Sequence, residues 1–158
     1  MASFDKRSDQ IMNKNLEVKE SVIINGTIES VWNAMTNPAK IALYLYGTQT
    51  TTDWKVGSLI AFEGQYGGHT YKDKGIVRVN EPLKKLSYNY WSSMSGLEDM
   101  PENYFEVNYI IKPIPDGKNQ LTWHQVGFSS EKGYKHTKNT LSDMLNQIKE
   151  IVEKPVKG

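Results

Sequence analysis

Five short runs rich in β-branched and aromatic residues follow one another along more than a third of the chain, and they constrain its fold more than any other feature. Paired turn residues such as Gly67-Gly68 and Asp116-Gly117, or short polar loops, separate them. Parallel strands need a crossover of a dozen or more residues, so these short connections predict an antiparallel meander. The runs cover residues 58–65, 71–80, 85–92, 103–112 and 120–128.

Two short helices are predicted before the meander, after a first strand at residues 17–25. Thr27 has the side chain of a helix cap, and apolar residues recur after it at helical spacing. Asn37-Pro38 then interrupts an otherwise apolar stretch, because a residue before proline disfavours helical geometry. Pro38 itself suits the first turn of a new helix, so we expect two helices that meet at this pair.

A long amphipathic helix is predicted after the meander, from a cap at Ser129 or Ser130 to a stop at Pro155. Its apolar stripe would cover one face of the sheet. The predicted fold is therefore α+β, with a curved antiparallel sheet of about six strands wrapped round the C-terminal helix. Residues 1–15 lack a clear pattern and are expected to form a loosely ordered N-terminal arm, and residues 16–154 a single domain.

Composition limits the class of protein. The net charge of +1 gives no basic excess of the kind that nucleic acids attract, so we expect no nucleic-acid partner. The chain has no cysteine, which excludes disulfides, thiolate metal sites and a cysteine nucleophile. No stretch reaches the length of a membrane span, and no secretion signal is visible at the start. These features favour a cytoplasmic protein, and no metal site or cofactor is predicted.

Four segments together resemble a known family. They are "SVWNAMTNPAKIALYL", "TTDWKVGSLIAFEG", "YKDKGIVRVNEPLKKLSYNYW" and "LTWHQVGF". In order and spacing they resemble the AHSA1 family, the activator of Hsp90 ATPase homologues, within the START-like (SRPBCC, Bet v 1-like) superfamily. The resemblance spans about residues 16–153 and implies a helix-grip fold. It also implies a chaperone partner, although the N-terminal domain of the Hsp90 activator has no counterpart here, and it supplies no universal catalytic residue.

Strand alternation predicts which side chains face the long helix. That face is mostly apolar but carries several phenols, an indole and an amide, a mixture that suits a ligand cavity better than a dry core. Tyrosines at the rim of an ordinary core would give a similar pattern, so both interpretations stay open. The candidate cavity residues on the strands are Phe62, Tyr88, Tyr90, Tyr109, Trp123 and Gln125, with Leu141 and Met144 on the helix.

Three further aromatic residues, Trp32, Tyr44 and Trp54, belong to the segments that the resemblance places at one end of the groove. They either line an opening for a ligand or seal the end of the core. The histidines are not spaced as metal ligands, and no residue is assigned a catalytic role.

Three functions remain open from the sequence. The first is a binding protein that holds a small hydrophobic or aromatic molecule between the sheet and the long helix. The second is an enzyme of the same superfamily, a cyclase or hydrolase, in which an inward tyrosine paired with a titratable group polarises a carbonyl. The third is a module that interacts with a chaperone. The sequence favours the first, a protein without catalytic activity, and gives no indication of oligomeric state.

Overall fold

The computed structural model describes residues 12–154. Seven antiparallel strands form one sheet in the order β1-β7-β6-β5-β4-β3-β2. The strands are β1 (Asn13–Ile24), β2 (Gln49–Thr51), β3 (Leu59–Tyr66), β4 (His69–Glu81), β5 (Lys85–Tyr90), β6 (Phe105–Ile114) and β7 (Lys118–Phe128). The helices are α1 (Ile28–Thr36), α2 (Pro38–Tyr44) and α3 (Glu131–Glu153).

This architecture confirms the predicted α+β helix-grip fold, with one strand more than the six expected. The additional strand, β2, has only three residues, which is too short for alternation to reveal it. β1 begins at Asn13, four residues before the predicted start. The rest of the predicted N-terminal arm, residues 1–11, and the predicted helix stop at Pro155 lie outside the described residues.

The two short helices meet at Asn37, as the sequence predicts. The Asn37 backbone N–H donates to the Asn33 carbonyl (2.8 Å) and closes α1. The Asn37 side chain accepts a hydrogen bond from the Ala39 N–H (3.0 Å) and caps α2, whose first residue is Pro38. One residue therefore ends one helix and starts the next.

The long helix α3 packs along β1 and over the concave face of the sheet. Ser130 caps it by accepting a hydrogen bond from the Gly133 N–H (3.0 Å). At the other end, the Lys149 ammonium donates to the Ile23 carbonyl (2.9 Å), and the Glu153 carboxylate accepts from the Asn25 N–H (2.7 Å). These two bonds fix the C-terminal half of α3 to the end of β1. Its N-terminal half lies across the sheet and forms one wall of a cavity there.

The ladder between β4 and β5 is interrupted near its centre. Lys74 pairs with Trp91 and Val77 pairs with Tyr88, but between these pairs the Ile76 N–H donates to the side-chain oxygen of Asn89 (2.7 Å). A side chain thus replaces a backbone partner at this point. The register of the β4–β5 ladder then shifts between Val77 and Val79, and a bulge of this kind bends its strand.

None of the helices in the described part of the chain has the length and apolar character needed to span a lipid bilayer.

Candidate functional site

A cavity of about 470 Å³ lies between the concave face of the sheet and the first turns of α3. The loop between α2 and β2, the β3–β4 hairpin and the loop after β5 also contribute to its walls. Most of its surface is apolar, and the polar groups are concentrated on the sheet side. Among the lining residues are Leu45, Tyr46, Thr48, Phe62, Tyr66, Tyr71, Asp73, Tyr88, Tyr90, Met94, Phe105, Tyr109, Trp123, Gln125, His136 and Met144.

The cavity brings together seven of the eleven candidate residues. Phe62 comes from β3, Tyr88 and Tyr90 from β5, Tyr109 from β6, and Trp123 and Gln125 from β7, with Met144 on α3. Strand alternation succeeds here because the antiparallel ladder places inward residues of neighbouring strands side by side: Tyr109 is paired with Trp123, and Tyr88 with Val107. Whether these residues contact a ligand stays a prediction.

The other four candidates lie outside the cavity wall. Tyr44 is buried beneath it, with its hydroxyl donating to the Ala34 carbonyl (3.1 Å), and Leu141 is buried in the core. The Trp54 indole donates to the Thr36 carbonyl at the end of α1 (2.9 Å), and Trp32 is half-buried on α1 against the core. Trp32, Tyr44 and Trp54 pack against the core in the structure, and whether they also line an opening for a ligand stays a prediction.

Tyr109 is the centre of a buried polar cluster at the base of the cavity. Burial raises its pKa, while hydrogen-bonding interactions from Tyr88, Trp123 and Tyr44 act in the opposite direction. Burial, followed by the proximity of Tyr109, holds the pKa values of Tyr44 and Tyr88 well above the ordinary tyrosine value. All three phenols are therefore neutral around pH 7. The Tyr44 proton is donated to the Ala34 carbonyl, whereas the Tyr88 and Tyr109 hydroxyls can each donate and accept a hydrogen bond.

Gln125 supplies an acceptor on the same wall. It is buried, and its amide nitrogen donates to the Gly127 carbonyl two residues ahead (3.0 Å). This bond fixes which way the amide is turned and leaves the Oε1 oxygen available. The base of the cavity therefore offers donors from the phenols and the indole, and an acceptor from the amide.

Asp73 on β4 is a buried carboxylate in the cavity wall that sequence reasoning missed. Its Oδ2 accepts a hydrogen bond from the Tyr90 hydroxyl, and its Oδ1 accepts from the Ser93 N–H (2.8 Å) and the Ser93 hydroxyl (2.9 Å). Burial and the Asp73 charge raise the pKa of Tyr90 well above its ordinary value. The sequence did indicate that Asp73 faces inward, because strand alternation in β4 places it on the same face as the inward Val77.

A second polar pair lies towards the opening of the cavity. The Thr48 hydroxyl donates to the Leu45 carbonyl (2.6 Å), so the Tyr71 hydroxyl is the donor in the 2.6 Å bond between Tyr71 and Thr48. The bond joins β4 to the loop after α2. It holds the Tyr71 ring against the cavity on the side where Tyr46 and Tyr66 are exposed.

A groove of about 480 Å³ lies on the opposite face of the sheet. Lys14, Arg78, Asn89 and Glu106 contribute to its polar lining. It carries cations and an anion together and has little apolar wall, which suits a small-molecule site less well. Within residues 12–154, His, Asp and Glu side chains form no group of three that could hold a metal ion.

A family model described as activator of Hsp90 ATPase homolog 1-like protein, AHSA1, matches residues 25–153. This chain belongs to the AHSA1 family. The AHSA1 match covers both short helices, the meander and α3, and it includes all four segments that carried the resemblance in the sequence. No curated protein matches the chain.

Solved structures agree with AHSA1 membership. The solution structure of a Cytophaga hutchinsonii protein is 34% identical, with a TM-score of 0.74, over 89% of this chain and 96% of that one. A Mesorhizobium loti crystal structure is 21% identical, with a TM-score of 0.71, over 89% and 99%. The Aha1 dimer from Colwellia psychrerythraea is 13% identical, with a TM-score of 0.70, over 90% and 99%. The last two share the AHSA1 fold with this chain.

Proposed function

We propose that this AHSA1 protein binds a small, largely apolar molecule in the cavity between the sheet and α3, and that it does so without covalent chemistry. The observation that carries the proposal is the composition of the cavity wall. Aromatic and aliphatic side chains surround a few fixed hydrogen-bonding groups, chiefly Tyr88, Tyr109, Trp123 and Gln125. A volume of about 470 Å³ falls in the range of small-molecule sites.

An imperfectly packed core that binds nothing explains this cavity wall less well. A buried polar group without a partner costs about 1–3 kcal/mol, and apolar residues of similar shape would avoid that cost. The cavity base holds two inward phenols, an indole and an amide side by side on adjoining strands. These groups hydrogen-bond to one another or to the backbone, and the open volume beside them lets an occupant add bonds at the phenols and at Gln125 Oε1, so the wall is better suited to binding than to dry packing.

An enzyme of this superfamily would need an inward tyrosine paired with a titratable group. The geometry of such a pair in this cavity does not favour catalysis. Tyr90 and Asp73 are an inward tyrosine and an acid in hydrogen-bonding reach of each other. However, the Tyr90 proton points at Asp73, and the other carboxylate oxygen already accepts two bonds from Ser93. The tyrosine is therefore not free to polarise a substrate carbonyl, and the acid is not free to accept a proton.

The test is a ligand screen by differential scanning fluorimetry, with calorimetry of the hits, on the wild type and on Tyr109→Phe and Gln125→Leu. We expect compounds that raise the wild-type melting temperature and bind the two variants more weakly. Tyr104→Phe is the matched control, since Tyr104 lies outside this cavity. If no compound stabilises the wild type and both variants raise the melting temperature, the polar groups belong to a strained core and the proposal is wrong.

A chaperone-binding role is the second candidate, because AHSA1 is described as an activator of Hsp90 ATPase homologue. A pull-down of purified Hsp90 with the tagged chain tests it. Hsp90 retained by the wild type and equally by Gln125→Leu would support a surface function that does not use the cavity. No retention would remove this candidate.

A further inference from the structure

The charge of the cavity wall is one-sided. Among the residues of the described chain that line it, Asp73 is the only carboxylate, and neither lysine nor arginine is present. His136 contributes from α3, where its side chain is exposed to solvent. The wall therefore places a buried negative charge beside the ligand space and no compensating fixed cation.

Aromatic residues lie beside Asp73 in the sheet. Asp73 lies directly opposite Phe62 in the β3–β4 pairing, and the Phe62 and Tyr90 ring centroids are 4.8 Å apart. Tyr90 in turn stacks on Phe105 at 4.9 Å. Because these rings pack on one another, their faces are largely covered, and the Asp73 carboxylate is the group that favours positive charge in the cavity.

We propose that the cavity selects ligands that carry a protonated amine on an aromatic or aliphatic body, and that it rejects the corresponding carboxylic acids. This inference rests on the proposed function and specifies the ligand class of the same site. The ammonium group lies near the Phe62, Tyr90 and Asp73 end, and the apolar body extends towards the base of the cavity at Tyr109.

Asp73 acts in this arrangement through its field and not through a direct ion pair. Both of its oxygens already accept hydrogen bonds from Tyr90 and Ser93, which hold the carboxylate in place. Charges in a poorly solvated site interact more strongly than they do in water. A ligand carboxylate would be repelled by Asp73 and would find no cation to replace its hydration, whereas an ammonium group is attracted by the field of the carboxylate.

A matched series of three compounds tests the inference by isothermal titration calorimetry: naphthylmethylamine, naphthylmethanol and naphthoate, which share one ring system and differ in charge. We expect the amine to bind about tenfold more tightly than the alcohol, and the acid to bind at least about tenfold more weakly than the alcohol. Binding of the alcohol without any advantage for the amine would overturn the inference and leave the proposed function standing. No binding by any of the three would overturn both.

Two variants identify the group responsible. Asp73→Asn removes the charge and should bring the amine-to-alcohol affinity ratio close to one, provided that circular dichroism shows a folded protein. Tyr90→Phe keeps the ring and frees Asp73 Oδ2 to meet the ammonium group, so it should raise the same ratio. Glu63→Gln is the control, because Glu63 is an exposed carboxylate on β3 next to Phe62. An amine-to-alcohol ratio that Tyr90→Phe leaves unchanged or lowers would contradict the role of Asp73.

Discussion

The ring of Tyr71 lies directly over Gly64, its cross-strand partner in the β3–β4 pairing. A Cβ atom on Gly64 would stand only 2.6 Å from the Tyr71 Cζ atom. The absence of a side chain at position 64 therefore gives the Tyr71 ring its place in the cavity wall and its hydrogen bond to Thr48.

Gly64→Ala should displace the Tyr71 ring, break its bond to Thr48 and reduce the free energy of unfolding by about 1–2 kcal/mol. Urea denaturation measures the change. The same substitution in a Tyr71→Ala background has nothing to displace and should cost less than about 0.5 kcal/mol. Equal costs in both backgrounds would show that the two residues are not coupled.

Gly75→Ala should be more damaging than Gly64→Ala. A Cβ atom on Gly75 would collide with the backbone carbonyl oxygen of Asn89 in β5, which cannot rotate away as a side chain does. We expect a loss of about 2–4 kcal/mol in unfolding free energy, with faster amide hydrogen exchange along β4 and β5. A loss smaller than that of Gly64→Ala would contradict the close approach of the two strands.

Trp54→Phe tests whether Trp54 gates the cavity or anchors the end of the core. The substitution removes the indole hydrogen bond to the Thr36 carbonyl and should cost about 1–2 kcal/mol of stability, by urea denaturation. Ligand affinity and association rate should stay unchanged, since Trp54 does not line the cavity. Trp123→Phe, which alters the wall itself, should weaken binding. A changed association rate in Trp54→Phe would support the interpretation that Trp54 lines an opening for the ligand.

Tyr104 should make stability fall at high pH. Burial and its hydrogen bond to Asp99 (2.5 Å) raise its pKa to about 12, against 10.0 for an ordinary tyrosine. Between these values the folded protein retains the Tyr104 proton and the unfolded chain loses it. The contribution of Tyr104 is therefore complete below pH 10 and is lost as the pH rises through about 12.

Thermal unfolding across this pH range, with Tyr104→Phe as the comparison, measures the effect. The variant should lose less stability than the wild type between pH 10 and 12. Tyrosinate absorbance should show one fewer phenol titrating near the top of that range. Parallel stability curves for the two proteins would contradict the raised pKa of Tyr104.

Sequence patterns predicted the elements because each acts over a short distance. Thr27 and Ser130 cap helices with their own side chains, and Asn37-Pro38 divides two helices for reasons confined to three residues. Strand alternation likewise identified the inward faces that meet at Tyr109 and Trp123. Local preferences and the period of two in a strand suffice for such features.

The sequence did not reveal features that depend on contacts between distant parts of the chain. Whether Tyr44 lines a cavity or lies beneath it depends on its bond to Ala34, which follows from how α1 and α2 pack. Asp73 was missed because an acid is normally expected to face solvent. Its burial depends on Tyr90 in β5 and Ser93 in the following loop, both about twenty residues away.

The hydrogen bond from the Ile76 N–H to the Asn89 side chain bears on how the lining of the cavity can be redesigned. The close approach of β4 and β5 beside the cavity is set by Gly75 and Asn89, neither of which lines it. Redesign for a new ligand should therefore keep Gly75 and Asn89, and should treat Phe62 and Tyr88 as core residues as well as lining residues.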